Sequence, residues 1–212
     1  MQNNLTRNDW LNIHNRAARD YINSEWSREV LLGVAKQREK LFANASGDVL
    51  DVGCGYGMNF PYLTHAKSIT GIDFSPVMLN KARETMRGSG IKVDLREGDA
   101  EELEFPDNSF DTVISALSTC SFYNPITALK EIRRVCKPDG KILLMEHGRS
   151  TWEWVGRYQD NQARQQIEQG GCRWNQEPQE LVKEAGLKIL QADRTLLGIF
   201  HTMVVSPAKM SP

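Results

Sequence analysis

The sequence has few cysteines, and none at the spacings that usually organise them into a site. Its four cysteines, Cys54, Cys120, Cys136 and Cys172, include no CxxC pair, and no histidine lies near one of them at ligand spacing. Because zinc sites and disulfide frameworks are normally recognisable from such spacings, we predict neither. We expect reduced thiols and a protein that uses no metal.

The sequence also lacks long apolar runs and an excess of charge of either sign. No run approaches the ~18 apolar residues that a membrane span needs, and the opening MQNNLTRNDW has no apolar segment typical of a signal peptide. The formal net charge is −1, with no basic run, so nothing indicates a nucleic-acid partner. We therefore expect a cytoplasmic protein without stable membrane insertion.

The regular feature that is present is an alternation of short apolar runs with helical stretches. Strands are predicted over 48–53, 68–73, 91–99, 110–116 and 141–146, and helices over 75–88 and 125–140. Such alternation is typical of right-handed βαβ crossovers and a mostly parallel sheet. Two last strands, over 186–194 and 199–207, are joined by a link too short for a crossover, so the final strand should be antiparallel.

Two segments flank this alternating region. Residues 9–43 are predicted to be helical, because apolar residues recur at spacings of three and four without a proline. Residues 147–180 are the least regular part and are rich in Trp, Gln and Gly. We interpret them as an insertion that covers one end of the sheet.

Three glycines at alternate positions follow the first predicted strand, in VLDVGCGYGMNFPYL (residues 49–63). Gly53, Gly55 and Gly57 would let the backbone approach a ligand, and the helix predicted to follow would offer N–H groups to an anion; the alternative is a plain tight turn. A dinucleotide turn prefers GxGxxG, which this spacing is not. Asp51, inside the strand, suits an amino group beside the anion, as in an amino acid.

Two further acids end the next two predicted strands. Asp73 is placed to accept from both hydroxyls of a ribose, and Asp99 to accept from an adenine amino group, with Phe74 packing on the ring. For Asp73 the alternative is an ordinary acid that leads into a helix or lies on the surface, and the GDA motif of Asp99 would be a weak signal alone. Together the three acids describe a ligand with an amino acid end, a ribose and an adenine, which is S-adenosylmethionine.

Four segments resemble the class I S-adenosylmethionine-dependent methyltransferases: VLDVGCGYGMN, GIDFSPVMLNKAR, EGDAEELEFPDNSFDTVIS and ALKEIRRVCKPDGKILLMEH. They cover roughly residues 47–147. The resemblance implies an α/β, Rossmann-like, doubly wound sheet of seven strands in the order 3-2-1-4-5-7-6, with strand 7 antiparallel and helices on both faces. It also implies S-adenosylmethionine as the cofactor and S-adenosylhomocysteine as the product.

The resemblance assigns roles to residues along this region. The glycines would wrap the methionine moiety, Asp73 the ribose, Asp99 with Ala100 the adenine, and an aromatic residue near the N-terminus would approach the methionine end. The full predicted cofactor-binding set is Tyr21, Asp51, Gly53, Cys54, Gly55, Gly57, Asn59, Asp73, Phe74, Met78, Asp99, Ala100, Glu101, Ala116 and Leu117.

The resemblance also divides the chain, which we predict to be a single methyltransferase domain over 1–212. The parts are an N-terminal helical cap (1–46), a cofactor-binding core (47–146), a lid or substrate insertion (147–180), and a terminal helix with a β-hairpin (181–212). A looser resemblance, carried by LSTCS, MEH, the Trp pair, GC and EAGL, connects the sequence with the small ubiquinone/menaquinone-type and thiol methyltransferase-like proteins. It leaves the acceptor open.

Methyl transfer is a direct displacement, so much of the acceleration can come from positioning. His147, with Glu146 before it at the end of strand five, is our candidate general base; the alternative is that His147 hydrogen-bonds the loop. Cys120 is a cavity wall, a reactive thiol or a small buried apolar residue. Trp152, Trp154 and Trp174 either pack within the lid or form an apolar acceptor pocket.

The predicted function is therefore methyl transfer to a small, largely apolar acceptor molecule, with a thiol as the leading candidate because it ionises easily (pKa near ~8.5). The alternatives are a quinone-type C-, O- or N-methyltransferase and a non-catalytic protein that binds S-adenosylmethionine. Nothing in the sequence indicates an oligomeric state.

Overall fold

The computed structural model of the protein describes residues 5–17 and 33–209. The strands are β1 (Ser46–Val52), β2 (His65–Asp73), β3 (Asp94–Glu97), β4 (Phe110–Ala116), β5 (Cys136–His147), β6 (Leu187–Thr195) and β7 (Phe200–Lys209). The helices in the described part are α1 (7–17), α2 (Val34–Phe42), α3 (Pro76–Met86), α4 (Pro125–Val135), α5 (Glu153–Gly170) and α6 (Pro178–Glu184).

The seven strands form one sheet in the order β3-β2-β1-β4-β5-β7-β6. β1 to β5 pair in parallel, whereas β7 is antiparallel to both β5 and β6. This confirms the predicted fold class, strand order and antiparallel last strand. It also places the carboxyl ends of β1, β2, β4 and β5 at one edge of the sheet, where ligands bind in open parallel sheets.

The alternation of side chains along the strands produces an apolar layer on each face. On one face, Leu50 of β1 and Val113 of β4 belong to a buried cluster with residues of α4 and α6. On the other, Val49 and Ile114, their neighbours in sequence, belong to a second cluster with residues of α2 and α3. The central strands are therefore covered on both sides.

The helix predicted over 125–140 extends too far at its C-terminal end. α4 ends at Val135, and β5 already begins at Cys136. Proline has no N–H and disfavours a helical conformation in the residue before it, so Pro138 explains why the helix cannot extend as far as predicted. Asn124 caps the other end of α4, its side chain accepting from the N–H of Thr127.

The interpretation of residues 147–180 as irregular is wrong. This segment contains α5, which has 18 residues. Only Gly156 and Gln159 of this helix are buried, and so it lacks the apolar stripe from which helices are recognised in a sequence. Its Gln, Arg and Glu residues are good helix formers nonetheless.

The helix predicted to follow the glycine turn is also wrong in type. Only a short 3₁₀ helix, Phe60–Tyr62, follows β1, because the turn runs through glycines at positive φ and Pro61 comes soon after. The predicted third strand is shortened to Asp94–Glu97. Within 9–43, helical structure is found over 7–17 and Val34–Phe42, and the rest of that prediction lies outside the described residues. The predicted division into cap, core, lid and hairpin stays a prediction.

None of the helices over residues 5–17 and 33–209 is both long and apolar enough to span a membrane.

Candidate active site

A cavity of about 990 Å³ opens at the carboxyl ends of β1, β2, β4 and β5. Its wall contains eleven of the residues that the sequence predicted as cofactor-binding or catalytic: Gly53, Cys54, Gly55, Asn59, Asp73, Phe74, Met78, Ala100, Ala116, Leu117 and His147. Five others lie outside this wall: Asp51, Gly57, Asp99, Glu101 and Glu146. Tyr21 lies outside the described residues.

The glycine turn is required for two different reasons. A Cβ atom on Gly53 (φ 71°) would approach the Cβ of Ser118 to 2.7 Å, so this glycine lets the loop after β4 pack against β1. A Cβ on Gly55 (φ 54°) would meet nothing within 4 Å, and this glycine borders the cavity. The backbone at Gly55 is thus open towards the cavity.

Asp73 ties the end of β2 to this turn. Its Oδ2 accepts the N–H of Gly55 (2.9 Å) and its Oδ1 accepts the N–H of Ser75 (2.9 Å). Burial raises the pKa of Asp73 to about 6, although both backbone hydrogen bonds act to lower it. Since a carboxylate has about four acceptor positions, two remain for the hydroxyls of a ribose.

Asp51 lies behind the cavity wall rather than in it. It is fully buried and accepts from Asn59 Nδ2 through both oxygens (3.1 and 2.9 Å). Burial raises its pKa to about 7, while Asn59 and the charge of Arg38 act to lower it. Arg38, which donates to Asn59 Oδ1, lines the cavity and is 3% exposed. Arg38 lies on α2, outside the glycine motif, so no motif in the sequence indicates it as a site residue.

The predicted adenine end is less open than expected. Ala100 lines the cavity, whereas Asp99 forms an ion pair with Arg7 of α1 and accepts the N–H of Glu101 (2.8 Å). The carboxylate of Glu101 accepts the N–H of Asn124 (2.7 Å), at the start of α4. Asp99 and Glu101 therefore stabilise the rim of the site.

α1 closes the side of the cavity next to Phe74. The imidazole of His14 lines the cavity and packs edge-on against Phe74, with ring centroids 5.4 Å apart. Burial lowers the pKa of His14. Trp10 anchors the helix, because its indole Nε1 donates to the carbonyl of Ser121 (2.6 Å).

Glu146, which we predicted beside His147 as a catalytic residue, lies outside the cavity wall, and its catalytic role stays a prediction. It is fully buried and accepts the N–H groups of Ser118 (3.1 Å) and Thr119 (3.2 Å). Burial raises its pKa to about 8. These contacts position the loop after β4, which forms part of the cavity wall.

His147 lines the cavity, together with two cysteines that the sequence did not connect with it. Cys172 Sγ lies 3.4 Å from His147 Nε2, and the ligand atoms of Cys120, His147 and Cys172 all lie within 4.8 Å of one another. The hydrogen bond from Cys172, together with the charge of His147, holds the pKa of Cys120 below its usual value. The residues stand on three separate elements, so no spacing in the sequence signals this cluster.

α5 and the segment after it form the far wall of the cavity. The side chains there are mainly aromatic and amide groups: Tyr158, Gln159, Gln166, Gln169, Trp174 and Phe200 of β7. Of the three tryptophans predicted to pack in the lid or line a pocket, Trp174 lines the cavity, whereas Trp152 and Trp154 are 53% and 69% exposed.

Gln159 and Trp174 fix each other. The Gln159 amide donates to the carbonyl of Trp174 (3.0 Å), and the Trp174 indole donates to the carbonyl of Gln159 (2.9 Å). These two hydrogen bonds hold the apolar ring of Trp174 in place on the far wall.

Comparison with known proteins identifies the family. Residues 50–144 match the family described as "Methyltransferase domain". The matched domain is that of a class I S-adenosylmethionine-dependent methyltransferase. This confirms the resemblance that the motifs indicated, and family membership implies S-adenosylmethionine as the cofactor.

Two curated relatives illustrate the range of this family. The chain is 31% identical to "Methyltransferase OMS1, mitochondrial" of Saccharomyces cerevisiae, over 92% of this chain and 45% of that protein. It is 32% identical to "Ubiquinone/menaquinone biosynthesis C-methyltransferase UbiE" of Bdellovibrio bacteriovorus, over 50% of this chain and 46% of that protein. The chain thus spans about half the length of these relatives. The cytoplasmic location stays a prediction.

A solved structure agrees with the fold. A SAM-dependent methyltransferase from Aquifex aeolicus superposes with a TM-score of 0.68 at 19% identity, over 92% of this chain and 98% of that one.

The cavity wall around the glycine turn fits the implied cofactor. The backbone of Gly55 is open, Asp73 has free acceptor positions, and Arg38 places a cation near the turn. S-adenosylmethionine supplies an electrophilic methyl group on a sulfonium.

Proposed function

We propose that the protein transfers a methyl group from S-adenosylmethionine to a small, largely apolar acceptor, and that the accepting atom is the sulfur of a thiol. The proposal rests on the kind of basic group that lines the cavity. Among the described residues, Asp73 is the one carboxyl group in the cavity wall, and it lies on the cofactor side. Two imidazoles also line the cavity, those of His14 and His147, and His147 is the one whose Nε2 lies beside Cys172 Sγ (3.4 Å).

An imidazole titrates near pH ~6.5, and the ordinary pKa values of thiols and phenols are near ~8.5 and ~10. Of these acceptor groups, a thiol is the one whose proton an imidazole takes up most readily, whereas an alcohol or an unactivated carbon holds its proton far more strongly. A thiol is the acceptor class that such a weak base serves best.

The remaining residues bind and orient. Asp73 would hold the ribose hydroxyls and Arg38 the carboxylate of the methionine moiety. Trp174 and Phe200 would hold the apolar body of the acceptor, with its sulfur toward His147. Alignment of the reacting atoms in a site from which water is excluded supplies much of the rate enhancement of such a displacement.

The alternatives make different demands on the cavity. A non-catalytic binding protein needs no space beyond the cofactor, whereas this cavity continues from the glycine turn past His147 to Trp174 and Phe200. A quinone-type C-, O- or N-methyltransferase would act in the same space. The UbiE similarity keeps this second class as the competitor to be tested.

The test is an acceptor screen with labelled S-adenosylmethionine and mass spectrometry of the products. The panel contains small alkyl and aryl thiols, the phenols and amines of matching shape, and a reduced quinone. We expect the methyl group on sulfur, with little product from the matched phenols and amines. Methylation of the quinol or an amine instead, or calorimetric binding of S-adenosylhomocysteine without transfer to any acceptor, would contradict the proposal.

A pair of histidine variants connects the activity with the site. His147→Ala should lower turnover by about 100-fold, the usual contribution of proton transfer by a positioned side chain, with unchanged affinity for S-adenosylhomocysteine. His65→Ala is the matched control, because this histidine is exposed at the start of β2, at the opposite edge of the sheet. Equal turnover of the two variants would exclude His147 from the reaction.

A further inference from the structure

Three side chains with zinc-binding atoms meet in the cavity wall. Cys120 follows β4, His147 ends β5, and Cys172 follows α5. Two sulfur atoms and one imidazole nitrogen are the soft and borderline ligands that zinc prefers, and catalytic zinc sites keep three protein ligands with a fourth position open. All three residues line the cavity, so a fourth position would face a bound acceptor.

The distances agree with such a site. Zinc bonds of ~2.3 Å to sulfur and ~2.0 Å to nitrogen, at a tetrahedral angle, place the two ligand atoms about 3.5 Å apart. The observed separation of Cys172 Sγ and His147 Nε2 is 3.4 Å. All three ligand atoms lie within 4.8 Å of one another, so an ion can bind with only small side-chain rotations.

The backbone around the cluster is held by hydrogen bonds. Glu146 accepts the N–H groups of Ser118 and Thr119, directly before Cys120. The N–H of Arg173, directly after Cys172, donates to the carbonyl of Cys120 (3.1 Å). Such contacts around the ligands fix the geometry of a metal site.

The charges also match. Two cysteine thiolates neutralise a zinc ion, and a third thiolate at the open position would leave one negative charge. The guanidinium of Arg173 can balance it, because it acts electrostatically on Cys120 and Cys172 while donating to the carbonyls of Phe122 (2.5 Å) and Tyr123 (3.0 Å).

We propose that Cys120, His147 and Cys172 form a zinc site whose open position binds the acceptor thiol as its thiolate, an inference that rests on the proposed thiol methyltransferase activity. Coordination releases the thiol proton to solvent, because metal-bound thiols are deprotonated. The sulfur's electron pair then forms the new S–CH₃ bond, the methyl–sulfonium bond breaks, and its electron pair stays on S-adenosylhomocysteine. The neutral thioether leaves the ion. In the zinc-loaded protein His147 is a ligand, and the ion replaces its imidazole in ionising the thiol.

The first test measures metal content. The chain is purified with zinc present and a phosphine reductant, dialysed, and analysed by mass spectrometry for metals. We expect about one zinc ion per chain, and its loss in Cys120→Ser, Cys172→Ser and His147→Ala. Cys136→Ala is the matched control, because this buried cysteine lies at the start of β5, away from the cluster, and it should keep the ion. Calorimetry with S-adenosylhomocysteine verifies that each variant is folded.

The second test replaces zinc with cobalt(II) and adds a small aryl thiol. Binding of the thiolate should increase the sulfur-to-cobalt absorption in the near ultraviolet, and the phenol of the same shape should leave the spectrum unchanged. The inference would be overturned if the wild-type chain bound no zinc, if Cys120→Ser retained zinc, or if the thiol left the cobalt spectrum unchanged.

The two proposals fail in different ways. Thiol methylation by a zinc-free chain at full rate would reject the zinc site and leave the proposed function intact. Zinc bound by the three residues without any thiol methylation would reject the proposed function, and with it the role of the ion in binding an acceptor thiolate.

Discussion

Asp73 is the residue through which β2 contacts the glycine turn, and both of its oxygens already accept backbone N–H groups. We expect Asp73→Ala to weaken binding of S-adenosylhomocysteine by about 10- to 100-fold, since a charge-assisted hydrogen bond contributes ~1.5–3 kcal/mol. Calorimetric titration measures this. Asp94→Ala is the control, because Asp94 is an exposed acid at the start of β3 that pairs with Arg96. Unchanged affinity in Asp73→Ala would remove this residue from the site.

The role of Arg38 can be tested more directly, because the part of the ligand that we propose it binds can be removed. Methylthioadenosine keeps the adenosine of S-adenosylhomocysteine but lacks the amino acid end. We expect Arg38→Gln to weaken binding of S-adenosylhomocysteine about tenfold or more, while the affinity for methylthioadenosine stays the same. Lys40→Gln, an exposed change in the same helix, should affect neither ligand. An equal loss for both ligands would mean that Arg38 only supports the fold around Asn59 and Asp51.

At the scale of elements, the turn after β1 depends on its contact with the loop after β4. A Cβ on Gly53 would lie 2.7 Å from Ser118, whereas a Cβ on Gly88, just after α3, would meet nothing within 4 Å. Both glycines have positive φ (71° and 80°), so an alanine is similarly strained in each backbone.

We therefore expect Gly88→Ala to destabilise the fold by roughly 1 kcal/mol, and Gly53→Ala by more, with an additional loss of affinity for S-adenosylhomocysteine. Denaturant unfolding and calorimetry measure the two effects. Equal destabilisation, with cofactor binding intact in both variants, would mean that the loop after β4 moves aside at little energetic expense.

The elements differ in how far the sequence determines them. β4 has its predicted bounds, 110–116, because a buried strand is a short apolar run that one window can show. α5 was missed, because a helix with only two buried residues has no apolar period. The part of the cavity wall that α5 forms could therefore not be predicted in detail, although Trp174 was among the residues predicted to pack in the lid or line a pocket.

For the whole molecule, the family resemblance implied the strand order and the position of the cofactor side, and the motifs that carry this resemblance consist of residues close together in the chain. The acceptor side depends on contacts between distant segments. His147 and Cys172 are 25 residues apart in sequence, and they meet only because β5 and the end of α5 reach the same edge of the sheet. Arg38, contributed by α2, is a second case of a residue whose role depends on tertiary packing.

The interior of the sheet contains carboxyl groups whose ionisation opposes folding. Burial raises the pKa of Glu146 from about 4.5 to about 8, and that of Asp51 from about 3.8 to about 7. A folded-state pKa above the unfolded one means that the folded protein holds more protons, so the contribution to stability is present at low pH and is lost as pH rises through the folded pKa. The pKa of Cys120, which is lowered, acts in the opposite direction.

Glu146→Gln separates these contributions, because the amide cannot ionise and its oxygen can still accept from Ser118 and Thr119. Relative to wild type, the free energy of unfolding of Glu146→Gln should increase by about 1.5 kcal/mol between pH 6.5 and pH 8, where the unfolded wild-type chain has ionised this carboxyl and the folded protein still holds most of its proton. Urea unfolding at several pH values measures this difference. An effect of the substitution that does not depend on pH leaves the pH dependence of this difference unchanged. The contributions of Asp51 and Cys120 also cancel in the difference if these residues titrate alike in both proteins. A difference that does not change with pH would mean that Glu146 is ionised throughout, as a cation bound at the neighbouring Cys120 and His147 would favour.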